Sequence, residues 1–177
     1  MAEPDVRWRF GAAAAKRLTS SRRFLRMLEV NSNVRLRDVE TRDLALFFAH
    51  QRDPEAAAMA AFASRDRAAF DEHWAKILVD NANLIRTVIV GSEIAGNVSS
   101  FTRDGVREVG YWIDRTYWGR GIATAALAAF LRLDQTRPLC AGVAKHNPAS
   151  LRILQKCGFT FHAHDDSHVI LVLSESV

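Results

Sequence analysis

The sequence has few cysteines, no long apolar run and no metal-ligand spacing, and each absence excludes a class of protein. Its two cysteines, Cys140 and Cys157, supply neither the disulfide framework of a small secreted protein nor the paired spacing of a zinc site. Both lie in apolar segments, which favours reduced core thiols and fits a cytoplasmic location. No apolar stretch approaches the roughly 20 residues that a membrane helix needs. We therefore expect no metal and no membrane partner.

The net charge of +4 comes from one end of the chain. Residues 1–33 hold seven basic and three acidic side chains, whereas residues 34–177 are balanced. We therefore divide the chain into a basic N-terminal extension, residues 1–33, and one domain, residues 34–177. The extension leaves open a transit peptide or an arm that touches RNA or a membrane surface. Nucleic acid is nevertheless not the expected partner, because the body of the protein carries no basic excess.

From Asn33 onward the hydrophobic pattern becomes regular and predicts a mixed sheet with helices packed on it. Strands are expected at residues 34–39, 84–90, 93–101, 108–114, 139–145, 160–163 and 168–173. Helices are expected at residues 44–50, 119–133 and 148–157, and over a longer region that opens at Pro54. Thr41 or Asp43 is the expected cap of the first helix. In the second helical region, the spacing from Phe62 to Leu78 predicts one apolar face.

A loop with two glycines, between a strand and a long helix, is the strongest functional signal. Residues 118–124 read Trp-Gly-Arg-Gly-Ile-Ala-Thr. A helix start leaves backbone N–H groups unpaired, and glycines let that backbone close on an oxygen-rich ligand such as a pyrophosphate. Turn geometry alone is the plain alternative. The loop lacks the Gly-Lys pair of a P-loop, and Thr124 stands where a dinucleotide fingerprint has a third small residue.

A second motif surrounds the following helix. Asn147 precedes Pro148 and Ser150, and the helix ends in Lys-Cys-Gly-Phe with Gly158 at the position of a C-cap glycine. Asn147 also fits a simple N-cap, since its side-chain oxygen can accept an orphan N–H. From spacing alone, both interpretations of Asn147 stay open.

Together these residues resemble the GNAT N-acetyltransferases, most of all their Rim-type branch. Gly121 and Ala123 match the fourth and sixth positions of the pyrophosphate loop of that family, Gln/Arg-x-x-Gly-x-Gly/Ala, and Trp118 replaces its first residue. The second motif, Asn-x-x-Ser-x-x-x-Leu-x-Lys-x-Gly-Phe, is also a GNAT signature. The resemblance covers residues 34–175 and implies a mostly antiparallel sheet of six to seven strands flanked by about four helices. It implies that acetyl-CoA is contacted by Trp112, Ile113, Trp118, Gly119, Arg120, Gly121, Ile122, Ala123, Thr124 and Asn147.

The resemblance also suggests which residues act in the reaction. Glu108 is the expected general base, directly or through water, with Asp104 as the second choice. Ser150 is the candidate proton donor to the leaving thiolate. His146 could relay a proton, although a solvated loop histidine is the simpler interpretation. A backbone N–H of Ile113 or its neighbour is expected to polarise the thioester carbonyl beside a splayed gap in the sheet.

The sequence therefore predicts an acetyl-CoA-dependent N-acetyltransferase that acts on a primary amine by direct attack. The acceptor stays open between a protein N-terminus and a small molecule, and a homodimer is possible. The alternative is a catalytically silent CoA-binding regulatory module, which would bind acetyl-CoA but release no thiol.

Overall fold

The computed structural model describes residues 33–174 and follows the expected alternation of strands and helices. Seven strands occur in this part of the chain: β1 (Val34–Arg37), β2 (Leu84–Val90), β3 (Glu93–Arg103), β4 (Val106–Ile113), β5 (Leu139–Ala144), β6 (Thr160–His164) and β7 (His168–Leu173). The same residues contain five α-helices: α1 (Leu44–Gln51), α2 (Pro54–Met59), α3 (Arg67–Val79), α4 (Ile122–Phe130) and α5 (Pro148–Lys156). Apart from Asn33, the basic extension lies outside the described residues.

All seven strands belong to one sheet with the order β1-β2-β3-β4-β5-β7-β6. Neighbouring strands are antiparallel except β4 and β5, which run parallel. A parallel pair needs a crossover connection, and α4 supplies it. The fold is therefore the mixed, mostly antiparallel α/β sheet that the sequence predicts, with five described helices instead of about four.

Two tight turns with glycine connect β2, β3 and β4 into an antiparallel meander. Gly91 has a φ of 63° in the first turn, and Asp104 and Gly105 have φ values of 50° and 77° in the second. Two successive residues with positive φ are typical of the type I′ hairpin turn. The register then runs without interruption from Gly96 opposite Ile113 to Arg103 opposite Val106. This meander determines the position of β4, which carries several of the predicted site residues.

The larger core lies between the sheet and the two helices α4 and α5. Leu127, Phe130 and Leu154 are almost completely buried there, against sheet residues such as Val98 and Leu139. Both cysteines are buried free thiols, as expected. Because Leu127 has no exposed surface, its truncation to alanine is expected to cost about 3 kcal/mol or more. The helix that follows the glycine loop is thus held firmly by its C-terminal part.

On the other face of the sheet, α1 and α3 cover mainly the β2–β3 side. Phe47, Phe70, Trp74 and Ile85 form a second cluster, in which the rings of Phe47 and Trp74 lie 5.0 Å apart. Within residues 33–174, no helix is both long and apolar enough to cross a membrane. Among the described residues, α1 touches only the end of β4, near Asp114, and the rest of this face of β4 and β5 carries no covering helix.

The helical region before β2 differs most from the sequence prediction. It forms two helices instead of one, and Phe62 lies in the connection between α2 and α3. Ala61 has a φ of 49°, which ends α2, and Asp66 starts α3 by accepting the N–H of Ala69 at 2.8 Å. Leu78, which was expected on the apolar face, is 41% exposed. The predicted apolar face is therefore confirmed for Phe70, Trp74 and Ile77, which belong to the second cluster, and wrong for Phe62 and Leu78.

Candidate active site

β4 and β5 separate soon after they meet, and this leaves a gap in the middle of the sheet. The two strands share a single register pair, Glu108 with Cys140. β4 continues to Ile113 and β5 to Ala144 without further pairing between them. Their unpaired halves lie side by side toward the C-terminal ends, where ligands commonly bind in sheets of this kind. The splayed gap expected beside β4 is present.

The alternation of the β3–β4 ladder determines which backbone groups face the gap. The N–H of Asp114 donates to the carbonyl of Ala95 on β3 at 2.8 Å. In an antiparallel strand the residues of one parity bond to the same neighbour, so Trp112 bonds toward β3 as well. Tyr111 and Ile113 have the opposite parity, and their N–H groups therefore point toward β5 and the gap. Ile113 or Tyr111, rather than Trp112, can offer a backbone N–H to a carbonyl in the gap.

Gly96 allows β3 to pass very close to the end of β4. Ala95 forms a bulge opposite β2, and Gly96 after it has a φ of 153°. A Cβ atom on Gly96 would lie 1.9 Å from the carbonyl oxygen of Trp112. Only glycine fits this contact, because any side chain would push the strands apart.

The glycine loop leads directly into α4 beside the end of β4. Gly119 and Gly121 have φ values of 71° and 75°, so the helix begins at Ile122 and not at residue 119 as predicted. Trp118 donates its indole N–H to the carbonyl of Ile113 at 2.8 Å and thereby ties the loop to β4. Among the described residues, no side chain caps this helix start and no acidic residue lies in its first turn. The first amides of α4 therefore form a positive site open to an anion.

The remaining residues of this loop divide between surface and core. Arg120 is exposed and lies over the ring of Tyr117, at 5.3 Å from the ring centroid. Ile122 and Thr124 are buried, and the carbonyl of Thr124 accepts a weak hydrogen bond from the Cys157 thiol. Ile122 and Thr124 thus hold the helix start in position, while Arg120 remains at the surface that an anion would approach.

The second motif stands across the gap, where β5 passes into α5. Asn147 caps α5 by accepting the Ser150 N–H at 3.0 Å, and its amide nitrogen donates to the carbonyl of Met59 at 3.1 Å. The ring of His146 contacts the carbonyl of Ala58 at 2.8 Å. His146 is therefore an exposed loop histidine, as expected, and its ring also contacts the end of α2. These two residues fasten α2 to the β5–α5 corner.

Glu108 lies at the point where β4 and β5 begin to separate, on the side of the sheet opposite α4 and α5. Burial raises the pKa of its carboxyl group, the positive charge of Arg103 lowers it, and Asp104 raises it. The net direction is upward, as a general base that works near neutral pH requires. Asp104 lies in the exposed β3–β4 turn. The two carboxylates therefore influence each other across a short distance.

The face of β4 and β5 opposite α4 and α5 is called here the open face. Gly110 and Gly142 lie on it, and a Cβ atom on either would meet nothing within 4 Å. Trp112 closes one side of the open face, with its ring 5.4 Å from that of Phe62. The absence of side chains at the two glycines leaves room for a ligand between Glu108 and Trp112.

Two buried nitrogen atoms near this face have no hydrogen-bond partner within residues 33–174: Nε1 of Trp112 and Nδ1 of His50. His50 is 8% exposed, and its Nε2 lies 3.4 Å from a carboxylate oxygen of Asp114. Burial lowers the pKa of this imidazole and Asp114 partly opposes the effect, so the net direction favours the neutral ring. Buried polar groups are normally paired, which makes unpaired ones candidates for ligand contact.

Sequence patterns did not predict a role in this site for His50, for Phe62 or for the pairing of Tyr111 with Ser150. One signal was available for His50, because it follows Phe47 at helical spacing and therefore shares its buried side. The hydroxyls of Tyr111 and Ser150 are 2.7 Å apart, although 39 positions separate them in the chain. The described residues contain no group of histidine, cysteine, aspartate or glutamate side chains that could hold a metal ion.

Comparisons with known proteins agree with this geometry. Residues 33–160 match the family described as the acetyltransferase (GNAT) domain. A comparison with curated proteins gave no sequence match.

Three similar solved structures are all acetyltransferases. Spermidine N-acetyltransferase from Vibrio cholerae, in complex with CoA and spermine, has a TM-score of 0.71 at 19% identity, over 81% of this chain and 96% of that one. RimL, a ribosomal-protein alpha-N-acetyltransferase in complex with CoA, has a TM-score of 0.69 at 15% identity, over 83% of this chain and 97% of that one. AAC(6')-Ib in complex with paromomycin and acetyl-CoA has a TM-score of 0.69 at 19% identity, over 81% of this chain and 94% of that one. These likenesses concern the fold, whereas the family match spans most of the sequence, and the chain therefore belongs to the GNAT acetyltransferase family.

Proposed function

We propose that this protein is a Rim-type N-acetyltransferase that moves an acetyl group from acetyl-CoA to a primary amine by direct attack. The observation that carries the proposal is the uncapped start of α4 beside the gap between β4 and β5. One feature suits a pyrophosphate and the other an extended thiol arm, and acetyl-CoA contains both. The buried free thiols agree with a cytoplasmic protein.

In this proposal the glycine loop and the first turn of α4 bind the pyrophosphate. The amides from Gly119 to Thr124 supply donors, and Arg120 adds a charged one from the surface. Trp118 keeps the loop beside β4 through its bond to Ile113. Asn147 uses two of its four hydrogen-bonding positions on Ser150 and Met59, which leaves two for the pantetheine arm.

The chemical step requires a base, a donor to the carbonyl oxygen and a proton for the leaving group. The ammonium form of the acceptor loses a proton to Glu108, and the free amine attacks the thioester carbon. A gap-facing N–H, of Ile113 or Tyr111, stabilises the negative charge on the carbonyl oxygen. The C–N bond forms and the C–S bond breaks, with the electron pair left on sulfur. The nitrogen then gives up its second proton to water, and the thiolate takes up one proton through the hydroxyl of Ser150, the proposed donor, which regains a proton from water.

Glu108 and the carbonyl site are too far apart for direct contact through one amine. Three residues of strand, from Glu108 to Tyr111, span about 10 Å. A proton therefore travels from the acceptor to Glu108 through water, which the open face can admit next to Gly110. This arrangement agrees with the raised pKa of Glu108, since the group has to accept a proton and release it again.

The acceptor reaches the gap from the open face in this proposal. Related folds are known in complex with spermine and with paromomycin, and RimL is an acetyltransferase for a ribosomal protein. Both a small amine and a protein N-terminus are consequently candidates. The space over Gly110 and Gly142 suits an unbranched or narrow amine, and Trp112 with Phe62 offers an aromatic wall.

Calorimetric titration with acetyl-CoA, followed by thiol detection with a panel of amines, tests the proposal. Binding together with thiol release for one acceptor class would support it. If acetyl-CoA does not bind, both the site and the activity are refuted. If it binds but no amine releases thiol, the chain is a CoA-binding regulatory module instead.

Replacing Gly121 with aspartate tests the placement of the pyrophosphate. The carboxylate would stand at the anion site, and we expect roughly a hundredfold weaker binding of CoA. Gly91→Asp is the matched control, because Gly91 also has a positive φ but lies in the distant β2–β3 turn. Equal affinities of the two variants, measured by calorimetry, would refute the pyrophosphate site.

A further inference from the structure

A hydrogen bond between Tyr111 and Ser150 crosses the gap between the separated strands. Tyr111 comes from β4, three residues beyond its last pairing with β5, and Ser150 comes from the first turn of α5. Their hydroxyl oxygens are 2.7 Å apart. The bond thus connects the two walls of the gap on the side of α4 and α5.

The surroundings of Tyr111 decide which hydroxyl donates. Its ring packs into the larger core near the Cys157 thiol, and burial raises the pKa of the phenol to about 12. Tyr111 consequently keeps its proton at neutral pH. The phenol is partly buried, and within residues 33–174 its hydroxyl has one hydrogen-bond partner, the Ser150 oxygen, which can accept its hydrogen. Tyr111 therefore donates to Ser150.

The hydroxyl hydrogen of Ser150 remains for another group, because Asn147 caps the helix and Tyr111 donates to the Ser150 oxygen. The backbone N–H of Ser150 donates to the cap residue Asn147, and the Ser150 side chain is not the cap of this helix. A hydroxyl has one hydrogen and two lone pairs. With one lone pair used by Tyr111, the hydrogen can turn toward the gap, where the sulfur of the acyl donor would lie.

We propose that Tyr111 is a positioning residue, which orients the Ser150 hydroxyl as a hydrogen-bond donor to the sulfur atom that leaves from acetyl-CoA. This inference rests on the proposed function of the gap. As the C–S bond breaks, the electron pair stays on sulfur, and the hydrogen bond from Ser150 stabilises the thiolate. Tyr111 itself loses no proton, because a phenol with a pKa near 12 is a weaker acid than an alkyl thiol, which ionises near 8.5.

The ionisation of CoA bound to the protein tests the proposal without any acceptor. The thiolate of bound CoA is followed by its ultraviolet absorbance during a pH titration. In the wild type we expect a bound thiol that is roughly ten times more acidic than that of free CoA, since a hydrogen bond to a charged group stabilises it. Tyr111→Phe and Ser150→Ala should each remove most of this difference, and the double variant should lose no more than either single one. Thr160→Val, which deletes a hydroxyl on β6, is the control and should retain it.

A second measurement covers the case in which Tyr111→Phe does not fold. The chain has only two tyrosines, so fluorotyrosine in a Tyr117→Phe background labels Tyr111 alone. Fluorine makes the phenol a stronger donor, and the bound thiol should become more acidic than in the same background with ordinary tyrosine. An unchanged value there, or a wild-type value in Tyr111→Phe or Ser150→Ala, would overturn the proposal. Failure of CoA to bind the wild type would instead contradict the proposed function.

Discussion

Asp43 and the gap between β4 and β5 both hold polar groups inside the protein, but they are built in opposite ways. Asp43 is completely buried and accepts hydrogen bonds from Arg37 at 2.6 and 2.7 Å, from Thr87 at 2.6 Å and from the Glu40 N–H at 3.0 Å. Burial alone would raise the pKa of this carboxyl group, and these bonds outweigh that effect and lower it. The network joins β1, β2 and the start of α1 in one fully satisfied centre.

The gap between β4 and β5 instead has buried polar groups beside it that lack partners. Two buried nitrogens, of His50 and Trp112, have no partner among the described residues, and Glu108 has a raised pKa. A buried polar group without a partner costs about 1–3 kcal/mol, so a fold that retains several has a reason other than stability. The comparison indicates that satisfied polar groups hold this protein together, whereas the two unpaired nitrogens near the open face are candidates for contact with a ligand.

The largest expected effect concerns stability and comes from Asp43→Ala. Removing the carboxylate leaves Arg37 and Thr87 without their buried acceptor, and we expect a loss of about 3 kcal/mol in the free energy of unfolding. Chemical denaturation of the two proteins measures this loss in the free energy of unfolding. Asp38→Ala is the matched control, because Asp38 pairs with Arg86 at 2.9 Å but is 86% exposed, and the expected loss is under about 1 kcal/mol.

The pH dependence of this loss has a definite sign. The pKa of Asp43 is lower in the folded state than in the unfolded chain, so its stabilisation is present above the unfolded value of about 3.9. It disappears as the pH falls through the lower, folded value. The difference between wild type and Asp43→Ala should therefore be constant at neutral pH and shrink only in strong acid. Similar losses for Asp38→Ala and Asp43→Ala would show that the network is not what stabilises this end of the sheet.

The second effect concerns activity and comes from Glu108→Gln. We expect turnover to fall about a hundredfold, with CoA affinity unchanged, because the amide cannot accept the proton of the acceptor. In the wild type, turnover should decline as the pH falls through the raised pKa of Glu108, and this acid limb should be absent in the variant. Rates are measured with the best acceptor of the amine panel, and exposed Glu93→Gln is the control.

Stability should move in the opposite direction from activity in Glu108→Gln. A carboxyl group with a raised folded pKa binds its proton more tightly in the folded state, so its ionised form destabilises the fold at neutral pH. The thermal midpoint of the variant should consequently equal or exceed that of the wild type. Full activity in Glu108→Gln, together with a loss in Asp104→Asn, would transfer the role of base to Asp104.

Sequence patterns predict local features of this protein well and long-range contacts poorly, and the two regions illustrate why. The bounds of β2 and β7 agree with the prediction, because turn residues such as Gly91 stand next to regular apolar alternation. The glycine loop and the Asn147 cap also depend on neighbouring residues only. Thr41 or Asp43 was the expected cap of the first helix. Asp43 does stand at the N-cap position of α1, yet its side chain caps no helix N–H and bonds Thr87, 44 positions away. No local pattern contains that contact.

The gap was expected from family resemblance, not from the residues themselves. Strand alternation could not show that β4 and β5 pair at a single position, because the extent of pairing depends on how α4 crosses between the two strands. For the same reason the contacts of Trp112 with Phe62 and of Asn147 with Met59 were not predictable. The predicted cofactor-binding residues stay a prediction until CoA binding is measured.

The smallest expected effect comes from Gly110→Val, and Gly96 of the same meander provides the contrast. Gly110 has a negative φ and an open neighbourhood, so Gly110→Val should leave the thermal midpoint unchanged or raise it slightly, since β-branched residues suit strands. The new side chain would occupy the open face, and we expect the KM for the acceptor to rise roughly tenfold, the cost of one or two blocked contacts. Gly96→Ala should instead lower the thermal midpoint, because its Cβ atom would lie 1.9 Å from the carbonyl oxygen of Trp112. If Gly110→Val leaves the KM unchanged, the acceptor does not cross the open face, and the space there is merely an uncovered part of the sheet.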